Sequence, residues 1–198
     1  GELRLAARQA ARAWNDELNR QLLTEGIIIS GADASLFYLE REGPCCFLLI
    51  YVDDGLLVGV KDDVAALMRA LEYFDLRKLG PVAYFLSMEV IRDRENKTLM
   101  VTQRKYAKQI LQRTGMEDCK AKMTPMEQNV KLSMHGDDAM EDAGRFAETV
   151  GMLLYLITCT RPDMSYAVGV LARFISKPRE EHWARVKSML HYLKETAD

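Results

Sequence analysis

Residues 47–59 constrain the chain most. Phe47-Leu48-Leu49-Ile50-Tyr51-Val52 and Leu56-Leu57-Val58 are apolar runs separated only by Asp53-Asp54-Gly55. Short runs rich in aromatic and β-branched residues, split by Asp-Gly, read as the two strands of an antiparallel hairpin. A third run at 35–41, set off by Glu42-Gly43-Pro44, extends this to a three-stranded meander over 35–41, 45–52 and 56–60. On either side the apolar spacing changes to three and four. Trp14, Leu18 and Leu22 stripe a helix over 11–26 that Gly26 stops; Val64, Leu67, Met68, Leu71 and Phe74 stripe another over 65–74 behind Asp62-Asp63, which can cap it. Helices laid on a meander make an α+β fold.

Runs at 84–91 and 98–101 flank Asp93-Arg94-Glu95-Asn96-Lys97 as a second hairpin, and Thr102 caps a helix carrying Tyr106, Ile110 and Leu111 that ends at Gly115. A polar loop over 119–142, with Pro125 and Gly136, is the natural boundary between residues 1–118 and a helical segment over 143–198. Three stripes predict a small bundle there: Phe146, Val150, Leu153, Leu154 and Ile157; Met164, Val168, Leu171 and Ile175, opened by Pro162; and Trp183, Val186, Leu190 and Leu193.

With 198 residues, 48% hydrophobic and 28% charged, the chain can bury one sizeable core or two small ones. Its apolar runs fall far short of the roughly 20 residues of a membrane-spanning helix, so a soluble chain is expected, with no membrane partner. No secretory signal is visible after Gly1. Cys45, Cys46, Cys119 and Cys159 lack metal-site or disulfide-framework spacing and read as reduced thiols of an intracellular protein. The net charge of −2 shows no basic excess, so nucleic-acid binding would need a local patch.

Asp53 and Asp54 admit two readings. One is a plain surface turn. The other is a metal-binding tip, because Mg²⁺ takes hard carboxylate oxygens together with substrate phosphates, and a tight hairpin holds such ligands rigidly. Successive strand side chains point to opposite faces, so the pair needs a carboxylate from a neighbouring strand to complete a two-metal clamp.

The wider pattern favours the second reading. Tyr51-Val52-Asp53-Asp54 resembles the Y-x-D-D motif of reverse transcriptases, and the whole chain resembles the copia-type retrotransposon polyprotein. Gln9-Ala10 and Arg12-Ala13-Trp14 resemble the family's L-K-Q-A-P-R-x-W stretch, and 33–37 resembles D-x-S-L-F. Leu79-Gly80 with Tyr84-Phe85-Leu86 and Glu89 resembles L-G-x-x-x-Y-F-L-G-x-E. Gln103-Arg104-Lys105-Tyr106, Thr124-Pro125, Cys159-Thr160-Arg161-Pro162-Asp163, His182-Trp183 and Leu193-Lys194 follow in family order and spacing.

The resemblance implies a reverse-transcriptase palm with an antiparallel sheet and packed helices, then a mostly helical thumb and connection leading toward a ribonuclease H domain. It implies an RNA-directed DNA polymerase using Mg²⁺ or Mn²⁺, with an RNA or DNA template, a primer and deoxynucleoside triphosphates as partners. Asp53 and Asp54 would be two of three metal-binding aspartates. Gln9, with Arg8 and Tyr51, would lie by the templating pair and incoming nucleotide, and Lys78 would approach its phosphates. Tyr84, Phe85 and Leu86 would grip the primer. The family's third aspartate and its fingers lie upstream of the Q-A-P-R stretch, so residues 1–198 alone are expected to be inactive, with a second chain as one possible source of the fingers. Ala11 stands where the family has proline, and Ser87 where it has glycine. A degenerate or domesticated fragment that binds nucleic acid or protein is the alternative.

Other signals stay open at this level. Arg4, Arg8 and Arg12 recur every four residues and make either a phosphate track or a solvated face. Arg104, Lys105 and Lys108 either contact the primer–template backbone or simply face water. His135, His182 and His191 have no ligand spacing, and His182 beside Trp183 reads as capping or packing.

Overall fold

The computed structural model describes residues 2–39, 45–52, 54–74, 76–127, 132–133, 136 and 138–197, with side chains from residue 12 onward. Asp53, the Glu42-Gly43-Pro44 turn, His135 and the side chains of Arg4, Arg8 and Gln9 lie outside the described residues. The chain forms two compact units, Gly1–Val82 and Ala83–Asp198, and its helices and antiparallel sheets make an α+β fold.

In the first unit α1 (Glu2–Thr24) precedes a four-stranded antiparallel sheet of β1 (Ile28–Ile29), β2 (Leu36–Leu39), β3 (Cys46–Tyr51) and β4 (Asp54–Val58), paired in that order. Helix α2 (Lys61–Ala70) and a 3₁₀ turn (Leu71–Phe74) close it. Leu18 and Leu22 of α1, Phe37, Cys46 and Leu48 of the sheet, and Leu67 and Leu71 share one core. Strand pairing sets Phe37 opposite Leu48 and Leu48 opposite Leu57, so one face of the sheet lies under the helices. Three local expectations are corrected. The meander has a fourth strand, β1, too short at two residues to leave an alternating pattern. Trp14 stays 38% exposed although Leu18 and Leu22 on its stripe are buried. Asp62 and Asp63 lie inside the first turn of α2, where their charge opposes the helix dipole, while the cap position is Val60.

The second unit opens with a three-stranded sheet of β5 (Tyr84–Phe85), β6 (Met88–Asp93) and β7 (Thr98–Thr102), in that order. The single strand expected over 84–91 is therefore two strands, broken at Leu86-Ser87. Helix α3 (Arg104–Thr114) follows and ends in a left-handed Gly115 at φ 69°. Its cap is Gln103 rather than Thr102, and the Gln103 side chain makes no capping bond because Thr160 donates to its Oε1 at 2.7 Å.

Helices α4 (Ala143–Cys159), α5 (Ser165–Ala172) and α6 (Glu180–Thr196) form the bundle. Phe146, Val150 and Leu153 of the first stripe, Met164, Val168 and Leu171 of the second, and Val186, Leu190 and Leu193 of the third are buried together with Ile110 of α3. The polar segment over 119–142 lies within this unit: Lys122 N–H donates to the His191 carbonyl at 3.2 Å, Met140 N–H to the Pro178 carbonyl at 3.1 Å, and Met126, Leu132 and Met140 pack on the core. At the corner after α4, Arg161 makes a two-pronged bond to Asp163 at 2.9 and 2.8 Å and reaches Thr196 Oγ1 at 2.6 Å; Tyr192 donates to Asp163 at 2.9 Å. The Thr-Arg-Pro-Asp segment thus ties that corner to the end of α6.

His182 is fully buried, stacked on Phe174 with ring centroids 3.9 Å apart. Its Nδ1 accepts from Arg179 N–H at 3.1 Å, so Nε2 carries the proton and donates to the Ser133 carbonyl at 3.2 Å. It caps α6 and packs, as expected from sequence. Burial pushes its pKa below the ordinary histidine value, outweighing the attraction of Glu181 and Asp138, while Arg179 acts in the same direction as burial. The unfolded chain takes up this proton near pH 6.5 and the folded chain does not, so the associated stability is present above that pH and lost as pH falls through the lower folded value. Urea unfolding at pH 7.5 and 5.5 is expected to show a stability loss that shrinks in His182→Gln.

Candidate nucleic-acid and nucleotide site

The β3–β4 hairpin is tighter than its sequence suggests. Tyr51 pairs directly with Asp54, and Ile50 with Gly55, so Asp54 and Gly55 belong to β4 and not to the turn. Val52 sits at φ 55°, a left-handed conformation that costs a β-branched residue energy and persists only where the flanking strands fix it. At the far end the two strands approach closely: a Cβ added at Gly59 would meet Cys46 Sγ at 2.8 Å and its Cα at 3.0 Å. The tip carries an exposed Asp54 opposite a 57%-exposed Tyr51.

Exposed carboxylate oxygen on such a tip suits a hard divalent cation that keeps several waters and binds substrate phosphate. Among the described residues, however, no three His, Cys, Asp or Glu side chains converge as a metal site. Asp54 is the described half of the expected pair; Asp53 lies outside the described residues.

Other expected site residues fall on both units. Arg8, Gln9 and Arg12 are on α1, and the Arg12 side chain is exposed. Lys78 is exposed and pairs with Glu72 at 2.7 Å, a surface contact that solvent screens. In the second unit Tyr84 and Phe85 form β5, and Leu86 enters the turn to β6. Arg104, Lys105 and Lys108 lie on exposed positions of α3. Lys105 is engaged within the chain: its Nζ is 3.3 Å from Glu89 and 5.7 Å from the centre of the Tyr84 ring.

Sequence reasoning placed Leu86 of the β5–β6 turn in the primer grip but did not find what holds that turn. Phe85 pairs with Met88, leaving Leu86 at φ 47° and Ser87 at φ 60° as a two-residue turn with both residues left-handed. The hydroxyl of Tyr155, on α4, donates to the Leu86 carbonyl. Glu89 Oε2 accepts from the Lys105 backbone N–H at 3.3 Å, supplying the start of α3 with the acceptor that Gln103 does not. The available signal was the resemblance to L-G-x-x-x-Y-F-L-G-x-E, which has glycine where this chain has Ser87, since glycine occupies this conformation freely. Ser87→Gly is expected to raise unfolding stability by about 0.5–1 kcal/mol in urea titrations.

The family model described as reverse transcriptase (RNA-dependent DNA polymerase) matches residues 5–128. The chain belongs to this family. It is 33% identical over 198 residues to the retrovirus-related Pol polyprotein from transposon TNT 1-94 of Nicotiana tabacum, covering 96% of this chain and 15% of that protein. The corresponding polyproteins from transposons RE2 and RE1 of Arabidopsis thaliana are 37% and 38% identical over 195 and 193 residues, each covering 96% of this chain and 13% of the relative. The resemblance to the copia-type reverse-transcriptase region therefore extends over most of the chain, which spans about a seventh of the length of these polyproteins. No solved structure matches it. Among the described residues no helix is long and apolar enough to cross a membrane.

Proposed function

We propose that the β3–β4 hairpin is the catalytic tip of an RNA-directed DNA polymerase of the copia type. The observation that carries this reading is the strand pairing that sets an exposed Asp54 opposite an exposed Tyr51 on two apolar strands, in a chain of this family. In this reading residues 1–118 are part of the palm and the start of the thumb, and 143–198 continue the thumb and connection. Asp53 and Asp54 would hold Mg²⁺ or Mn²⁺ together with a third carboxylate, which the family places before its Q-A-P-R stretch. When bound, the metal would supply charge stabilisation to the attacking and leaving oxygens.

The chain's own residues position the reactants. Gln9, Arg8 and Tyr51 lie against the templating pair and incoming nucleotide, and Lys78 exchanges Glu72 for a phosphate. Tyr84, Phe85 and Leu86 seat the primer end; Arg12, Arg104, Lys105 and Lys108 track the nucleic-acid backbone, with an affinity that falls steeply with salt. The primer 3′-oxygen forms a bond to the α-phosphorus of the nucleotide, the bond to pyrophosphate breaks, and the hydroxyl proton leaves to solvent.

The test is primer extension on an RNA template with all four deoxynucleoside triphosphates, using a chain that includes the upstream carboxylate. Template-directed, divalent-dependent extension is expected there, and none from residues 1–198 by themselves. Failure of the longer chain on both RNA and DNA templates would overturn the reading in favour of a non-catalytic binding module.

A further inference from the structure

We infer that Tyr155 is a positioning residue: through its hydroxyl it sets the Leu86-Ser87 turn, and with it the hairpin over 84–89. This rests on the proposed function for what the hairpin does, but not for how it is held. Neither turn residue is glycine, yet both are left-handed, at φ 47° and 60°. Such a turn persists only when its surroundings fix it. Tyr155 donates to the Leu86 carbonyl inside the turn. Its ring stands edge-on to Tyr106 of α3, with centroids 5.4 Å apart and planes at 89°, so the hydroxyl is delivered by a side chain held at both ends.

A second anchor lies at the base of the hairpin. Glu89 accepts from the Lys105 N–H, pairs with the Lys105 ammonium, and lies directly opposite Tyr84 across the β5–β6 pairing; the same ammonium sits over the Tyr84 ring. The hairpin is therefore fastened to α4 at its tip and to α3 at its base. A displacement of either helix is transmitted to the turn. The primer terminus would then be held by a piece that moves with the helices and not as an independent flap.

Tyr155→Phe removes one oxygen and keeps the ring. In the 198-residue chain, hydrogen exchange of the amides of residues 87–89 is expected to rise about fivefold, as for one lost hydrogen bond, with the amides of α6 unchanged. In an extension-competent chain the same variant is expected to raise KM for primer–template about fivefold and leave KM for the nucleotide unaltered. Adding Ser87→Gly to Tyr155→Phe should restore both readouts, because glycine holds the turn unaided. Unchanged exchange at 87–89, or a defect that affects both KM values and is not restored by Ser87→Gly, would overturn the inference. Full extension activity in Asp54→Asn would instead overturn the catalytic reading and leave the exchange result standing.

Discussion

Phe146→Ala is expected to lower the stability of the second unit by about 3–5 kcal/mol. Phe146 is fully buried on α4, the helix that packs against α3, α5 and α6. Truncation there removes a ring shared by the core and leaves a cavity that well-packed helices cannot collapse. It also unseats a neighbour of the His182 ring, whose centroid is 6.4 Å away. Urea unfolding followed through Trp183, which is 7% exposed and lies beneath the Arg145 guanidinium at 4.8 Å, reports on this unit. A loss below about 1 kcal/mol would mean that the α4 core repacks and is not the unit's centre.

The largest effect on activity is expected at the hairpin tip. In an extension-competent chain, Asp53→Asn and Asp54→Asn should each reduce primer extension by about 10³-fold, because several kcal/mol of charge stabilisation in the transition state is lost. Primer–template affinity should change little, since backbone contacts by basic residues carry it. A plain surface turn predicts the opposite: both variants would extend normally and unfold near the parent, as exposed substitutions do.

Much of the fold was legible because burial imposes periodicity. The three stripes of 143–198 correspond to α4, α5 and α6, since each helix has one face in a shared core. The hairpin over 47–58 was legible for the same reason, but its register was not. Asp53-Asp54-Gly55 reads as the turn by residue preference, whereas the ladder takes Asp54 and Gly55 into β4, because pairing Leu48 with Leu57 under the helices outweighs the cost of a left-handed Val52. Capping was misread where a distant acceptor replaced a local one: α3 takes Glu89 from the preceding hairpin in place of Thr102. At the site, the order of motifs identified the family, and the proposed roles of Asp53 and Asp54 rest on that resemblance. Tyr155 was invisible, since its contact with Leu86 spans 69 residues and leaves no local pattern.

The most direct test of the catalytic reading is to locate the divalent cation. With Fe²⁺ and ascorbate in place of Mg²⁺, the extension-competent chain bound to primer–template and nucleotide should be cut by locally generated radicals at residues 52–55, and Asp54→Asn should abolish that cut. Cleavage elsewhere, or cleavage at the hairpin that survives loss of the carboxylate, would contradict the assignment of the hairpin as the metal-holding tip.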